Sequence, residues 1–306
     1  TPPTPPTPPT PPTPPTPPWR QWGNAENAES QMGGYSAHMS SRDYSLDLAL
    51  AEKLADAADA FTLSRYQSLD LVIETKPDLT PVTDADKGCE ELIRGLLASA
   101  RPEDVIVGEE FGGRDEVQKP GNDKYYWVID PIDGTKNFVR GVPIWCTLIA
   151  LMSPDHKVVA GVVSSPALFR RWSAYKGGGA YLSLNGGEKK KISVSAVSKL
   201  ADASLSYSDL VGWGARREKF IELQNQIWRT RGVGDFWSHM LVAEGAIDIA
   251  VEPSLALWDM AALAVVVTEA GGTFSDLDGV DGPNGAGGLS TNGRLKDSFI
   301  AAVDAK

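Results

Sequence analysis

Six consecutive copies of Thr-Pro-Pro fill residues 1–18 and exclude that stretch from any folded core. Proline has no N–H to donate and a fixed φ, so the repeat favours an extended polyproline II rod over helix or sheet. The polar, aperiodic stretch after it ends in Ser36-Ala37-His38-Met39, which reads as a junction running into a start methionine. Residues 1–38 are therefore expected to be a disordered tail and linker, with a ligand for proline-binding domains as the alternative use. Of the 306 residues, 268 remain, enough for a sizeable core.

In that remainder, helical and strand patterns are interleaved. Leu46, Leu50, Leu54, Ala57, Ala58 and Phe61 recur every three to four residues, which predicts one long amphipathic helix. Cys89, Leu92, Ile93, Leu96 and Leu97 predict a second, with Asp84 or Asp86 as its cap. Strand-like runs follow at 105–107, 125–129, 146–152, 158–163 and 171–175, separated by Gly, Pro and Asn clusters. Beyond them the pattern predicts a strand at 205–207, helices at 216–228 and 238–244, and an extended run at 247–251. A helix at 259–269 and a strand near Ile300 complete it. Strands crowd the first half and alternate with helices in the second. The expectation is an α+β half over 39–182 followed by an α/β half over 183–306.

Net charge is −11, which argues against nucleic acid as a partner, since phosphate contacts need a basic face. The basic run Lys189-Lys190-Lys191 follows Asn185-Gly186-Gly187 and reads as a solvated hairpin edge. Cys89 and Cys146 form no motif, in keeping with a reducing compartment. No apolar run has the roughly eighteen residues of a membrane span. A cytoplasmic protein is expected.

Three segments place carboxylates where folding alone gives little reason for them. Val105–Gly108 runs into Glu109 and Glu110. Tyr125–Ile129 is wholly apolar and runs into Asp130, Pro131 and then Asp133, before Gly134 and Thr135 allow a sharp turn with outward N–H groups. Asp259 begins a helix that is apolar on every side from Met260 to Val267 and must be buried. An Asp-Pro turn and a helix cap would explain single acids. They do not explain an apolar strand delivering two acids to one spot. Glu109, Asp130, Asp133 and Asp259 together make a hard oxygen cage suited to Mg²⁺, and two ions sharing it can clamp a phosphate and activate water. Gly134 and Thr135 amides would take the phosphate oxygens.

Residues 127–138 (Trp-Val-Ile-Asp-Pro-Ile-Asp-Gly-Thr-Lys-Asn-Phe) and 258–272, from Trp-Asp-Met-Ala-Ala to Glu-Ala-Gly-Gly, resemble the two signatures of the inositol monophosphatase family. The resemblance runs from about Ser45 to the C-terminus. It implies a layered αβαβα phosphatase fold, two or three Mg²⁺ ions, inhibition by lithium and a homodimer. Glu109, Asp130, the Ile132 carbonyl, Asp133, Asp259 and Asp86 would be the metal ligands by position. Glu109, Asp86 and Thr135 would be the catalytic set. Asp235, where inositol-cleaving members usually keep a small residue, looks like the histidinol-phosphatase branch. Asp235 and Glu252 could pair with the ammonium or imidazole of histidinol phosphate. A cap for a helix starting at Phe236 is the other use for Asp235, and a strand-end acid the other for Glu252. His239 has no assigned role. Hydrolysis of histidinol phosphate is thus the expected activity. Inositol 1-phosphate or a related sugar phosphate is the alternative substrate, and a non-catalytic phosphate-binding adaptor using the proline tail is the alternative of another class.

Overall fold

The computed structural model describes residues 42–304 apart from 78, 120 and 121, so the expectations for residues 1–38 lie outside the described residues. In chain order, α1 (Tyr44–Arg65) leads to a small antiparallel hairpin of β1 (Ile73–Thr75) and β2 (Pro81–Thr83), then α2 (Asp84–Ala100). Next come β3 (Val105–Gly108), α3 (Arg114–Val117), β4 (Tyr126–Asp133) and α4 (Thr135–Arg140). A meander follows: β5 (Cys146–Met152), β6 (Val158–Ser165), β7 (Arg170–Tyr175), β8 (Gly179–Leu184) and β9 (Lys190–Lys191). The remainder holds β10 (Ser204–Tyr207), α5 (Arg217–Gln224), β11 (Arg229–Gly232), α6 (Asp235–Ala243) and β12 (Ile249–Glu252). Last are α7 (Leu257–Glu269), β13 (Thr273–Ser275), β14 (Gly288–Thr291) and α8 (Lys296–Val303).

Strands β3 to β9 form a seven-stranded sheet in sequence order, parallel only at β3–β4. A five-stranded sheet has the order β11-β10-β12-β14-β13, with β10 parallel to both its neighbours. Strand β4 is apolar from Tyr126 to Ile129 because both its faces are covered there. Trp127 and Ile129 pack with Leu54, Ala58, Ile93 and Leu97 of α1 and α2. Tyr126 and Val128 face the other way, toward Phe236 and Met240 of α6 and the apolar length of α7. The far side of the five-stranded sheet buries Leu205, Ile249 and Leu289 against Phe220 of α5 and Phe299 of α8. The layers run helix, sheet, helix, sheet, helix, as the αβαβα expectation has it. Among the described residues no helix is long and apolar enough to cross a membrane.

Four local expectations are corrected. Helix α2 is capped by Thr83 rather than Asp84 or Asp86: Thr83 Oγ1 accepts the Ala85 N–H at 3.1 Å, and Asp86 reaches back to the Thr83 N–H at 2.7 Å. Thr83 ends a strand with extended backbone, which an N-cap requires. Residues near Ile300 are helical, because Phe299 and Val303, four apart, are the two that bury. The helix expected to reach Trp228 ends at Gln224, and β11 follows. Strand β4 continues through Pro131 to Asp133, four residues beyond the apolar run at 125–129 from which it was expected.

Candidate active site

The continuation of β4 is what assembles the acids. Asp130 pairs with Leu148 and Asp133 with Cys146, so three steps on β4 oppose two on β5. In a regular strand, residues three apart point to opposite faces; the extra residue of a bulge returns them to one side. Pro131 fits there because it has no ladder N–H to lose, and its carbonyl accepts the Thr147 hydroxyl at 2.9 Å. Glu109 follows β3, and its N–H donates to Ile129 O at 3.2 Å, which holds it beside Asp130. Asp259 enters from the first turn of α7, where its Oδ2 accepts the Ala256 N–H at 2.7 Å. One carboxylate oxygen each from Asp130, Asp133 and Asp259 lie within 4.8 Å of one another.

Charges so arranged oppose each other. Burial, then the neighbouring Glu109, Asp133 and Asp259, push Asp130 well above the usual carboxylate range. Burial, then Asp235 and Asp259, do the same to Asp133. Asp259 is pushed up to about 6, chiefly by burial. The chain supplies a cation at one end: Lys76 Nζ lies 2.7 Å from Glu109 Oε1 and 2.6 Å from Glu110 Oε1. A site built from carboxylates and the adjoining Ile132 carbonyl, short of positive charge, has the donor chemistry a hard divalent cation takes.

Asp86 is fully buried and stands behind this group. Its Oδ2 accepts both the Thr83 N–H and hydroxyl, and its Oδ1 lies 3.3 Å from the Thr135 hydroxyl. Burial raises it to about 6. Thr135 Oγ1 is also 3.1 Å from Ile132 O. Gly134, with φ of +85°, sets up the turn from which α4 starts at Thr135.

At the other end, the start of α6 is pinned by acids. The Phe236 N–H donates to Asp133 Oδ2 at 2.9 Å, and the Asp235 N–H to Glu252 Oε1 at 3.1 Å. The other Glu252 oxygen takes the Ser208 hydroxyl. Asp235 itself adopts φ of +50° and does not cap its helix; its carboxylate meets Asn137 Nδ2 at 3.3 Å. Burial raises Asp235 to about 6 against the pull of Lys136, and Glu252 to about 7. His239 is wholly buried one turn further on, with Nδ1 2.7 Å from Ser290 Oγ and no partner for Nε2.

A cavity of about 440 Å³ opens over these groups. Glu109, Asp130, Ile132, Asp133, Gly134, Thr135, Asp235 and Asp259 line it. Asp86 and Glu252 lie behind its wall, touching it through Thr135 and Asp235. A cavity of about 460 Å³ beside α1 also holds acids, but there Arg171 pairs with Asp56 and Asp59, and Lys189 with Glu52. Sequence reasoning missed Lys76 and Asn137. Lys76 carries no motif signal, whereas Asn137 stands inside the segment that supplies Asp133.

Residues 43–306 match the model of the inositol monophosphatase family. The chain is 52% identical over 267 residues to a protein named histidinol-phosphatase from Streptomyces coelicolor, covering 86% of this chain and 98% of that one. It is also 52% identical over 261 residues to one of the same name from Mycobacterium tuberculosis, covering 85% and 98%. An inositol monophosphatase structure from Zymomonas mobilis superposes with a TM-score of 0.72 at 30% identity, covering 86% of this chain and 99% of that one. With the five layers and the acids of β3, β4 and α7 in place, these likenesses span the described fold from end to end, and the chain belongs to the inositol monophosphatase family.

Proposed function

We propose that the chain is a Mg²⁺-dependent phosphomonoesterase that hydrolyses histidinol phosphate to histidinol and phosphate. Glu109, Asp130, the Ile132 carbonyl, Asp133 and Asp259 would hold the cations, two or three in number, with Asp86 at the weakest position. When bound, they supply the positive charge that lets an anionic ester enter an acidic cavity and that makes water a better nucleophile. The chain's own groups do the rest. The Thr135 hydroxyl and Asp86 carboxylate, already in contact, orient the attacking water and hold its proton. First-turn N–H groups of α4, which have no partner inside the helix, receive phosphate oxygens. A cytoplasmic homodimer inhibited by lithium belongs to the same reading.

One observation carries the choice of ester. Asp235 stands on the cavity wall, in no salt bridge with a described residue, and spends no oxygen on capping its own helix. Histidinol phosphate brings an ammonium and an imidazole; inositol 1-phosphate brings neither. The names of the 52%-identical relatives support the same choice. Phosphate release from histidinol phosphate, measured in Mg²⁺ and again in excess EDTA, tests the class of activity. Release that stops in EDTA and returns with Mg²⁺ is the expected result; no release from histidinol phosphate or from inositol 1-phosphate under either condition would leave a binding protein instead.

A further inference from the structure

Helix α2 carries a second buried acid, Glu90, one turn beyond Asp86 on the same face. It is completely buried, yet it belongs to neither the cation cluster nor the cavity wall. Its partners explain why it is there. Glu90 Oε2 accepts the Glu110 N–H at 2.7 Å, and Oε1 accepts the Phe111 N–H at 3.3 Å. Arg94 Nε donates to Oε1 at 2.7 Å and supplies the countercharge, while its other arm reaches Gly112 O at 2.6 Å.

These bonds grip the loop that presents Glu109. The loop closes on itself through two backbone bonds between Gly108 and Gly112, at 2.9 and 3.2 Å. The carboxylate of Glu90 comes so close beneath it that a Cβ on Gly108 would lie 1.9 Å from Oε1. Gly108 is thus a glycine by close approach and not by backbone conformation. Glu109 sits between a strand end fixed to β4 and two amides fixed to Glu90, and its side chain lines the cavity, where Lys76 pairs with it.

We propose that Glu90, held by Arg94, is a positioning residue for Glu109 and thereby sets the affinity of the cation site. The inference rests on the reading of Glu109 as a cation ligand. Removing the acceptor leaves the Glu110 and Phe111 N–H groups without their side-chain partner, and the loop relaxes away from its present course. Groups that orient a metal ligand typically cost 10–100-fold in metal affinity when lost. Helix α2 would then serve the site twice, through Asp86 directly and through Glu90 by way of the loop.

The test is calorimetric titration of the full chain with Mg²⁺ alone, without substrate, alongside its melting temperature in EDTA. Glu90→Gln keeps the size and one acceptor but loses the charge and the second acceptor. It should weaken Mg²⁺ binding by about tenfold or more, while turnover at saturating Mg²⁺ stays within about twofold of the parent. Gly108→Ala, which drives the same carboxylate aside, should weaken binding in the same direction and serves if Glu90→Gln does not fold. Unchanged Mg²⁺ affinity with a lowered melting temperature would make Glu90 a packing residue only and overturn the proposal. Glu109→Gln separates the two levels. If it weakens Mg²⁺ binding while Glu90→Gln and Gly108→Ala do not, the positioning role alone fails. If Glu109→Gln leaves Mg²⁺ binding unchanged, the reading of Glu109 fails and the proposal with it.

Discussion

The Phe236 N–H donates to Asp133 Oδ2 at 2.9 Å, so a carboxylate of the acid cluster also anchors the helix that carries Asp235. The two ends of the cavity are joined by that bond. A helix N-terminus favours an anion, and here the anions are site acids: Asp133 for Phe236 and Glu252 for Asp235. Such an arrangement ties the position of Asp235 to that of Asp133.

Asp133→Asn should remove nearly all activity and leave the fold intact. The amide keeps the size of the side chain but takes away one negative charge that a divalent cation requires. Without metal, the variant should melt no lower than the parent, because Asp133 is held well above its usual range by burial and by Asp235 and Asp259. A turn residue would tolerate Asn at no cost. Activity within a few-fold of the parent at saturating Mg²⁺ would contradict the cluster.

His239 gives a pH dependence of known sign. Burial holds it at about 3, far below the ordinary histidine value near 6.5. Between those values the unfolded chain binds a proton that the folded chain refuses, so this residue's contribution to stability is lost as pH falls through that window. The raised acids act oppositely: Asp86, Asp235 and Asp259, at about 6, and Glu252, at about 7, take protons earlier in the folded state. Comparing His239→Phe with the parent cancels them. Phenylalanine can pack on the neighbouring Phe274 ring, 5.7 Å away between centroids. The melting temperature of the variant should gain on the parent steadily from pH 7.5 down to pH 5. A difference that does not change with pH would show that His239 is not held neutral.

The parts of the site written in contiguous sequence were legible before the fold was known. Asp130 and Asp133 stand in one short segment after an apolar strand, and Asp259 heads a helix whose apolar girth announces its burial. Glu90 was not legible, because its main partners are backbone N–H groups some twenty residues away. No side-chain pattern encodes such a partner. Lys76 follows a three-residue strand too short to register, and meets Glu109 only after the β1–β2 hairpin forms. The strand expected near Ile300 failed for another reason. A five-residue apolar run suits helix or strand equally until its neighbours are known, and α8 packs with α5 through Phe299.

The choice of ester rests on Asp235, and the ratio of kcat/KM for histidinol phosphate to that for inositol 1-phosphate measures it directly in the parent and in Asp235→Ala. A charge-assisted hydrogen bond to the substrate cation contributes about 1.5–3 kcal/mol, or roughly ten- to a hundredfold. The parent should favour histidinol phosphate by at least about tenfold, and Asp235→Ala should erase most of that preference by slowing histidinol phosphate alone. A parent that prefers inositol 1-phosphate, or a variant that loses equally on both esters, would contradict histidinol phosphate as the substrate recognised through Asp235.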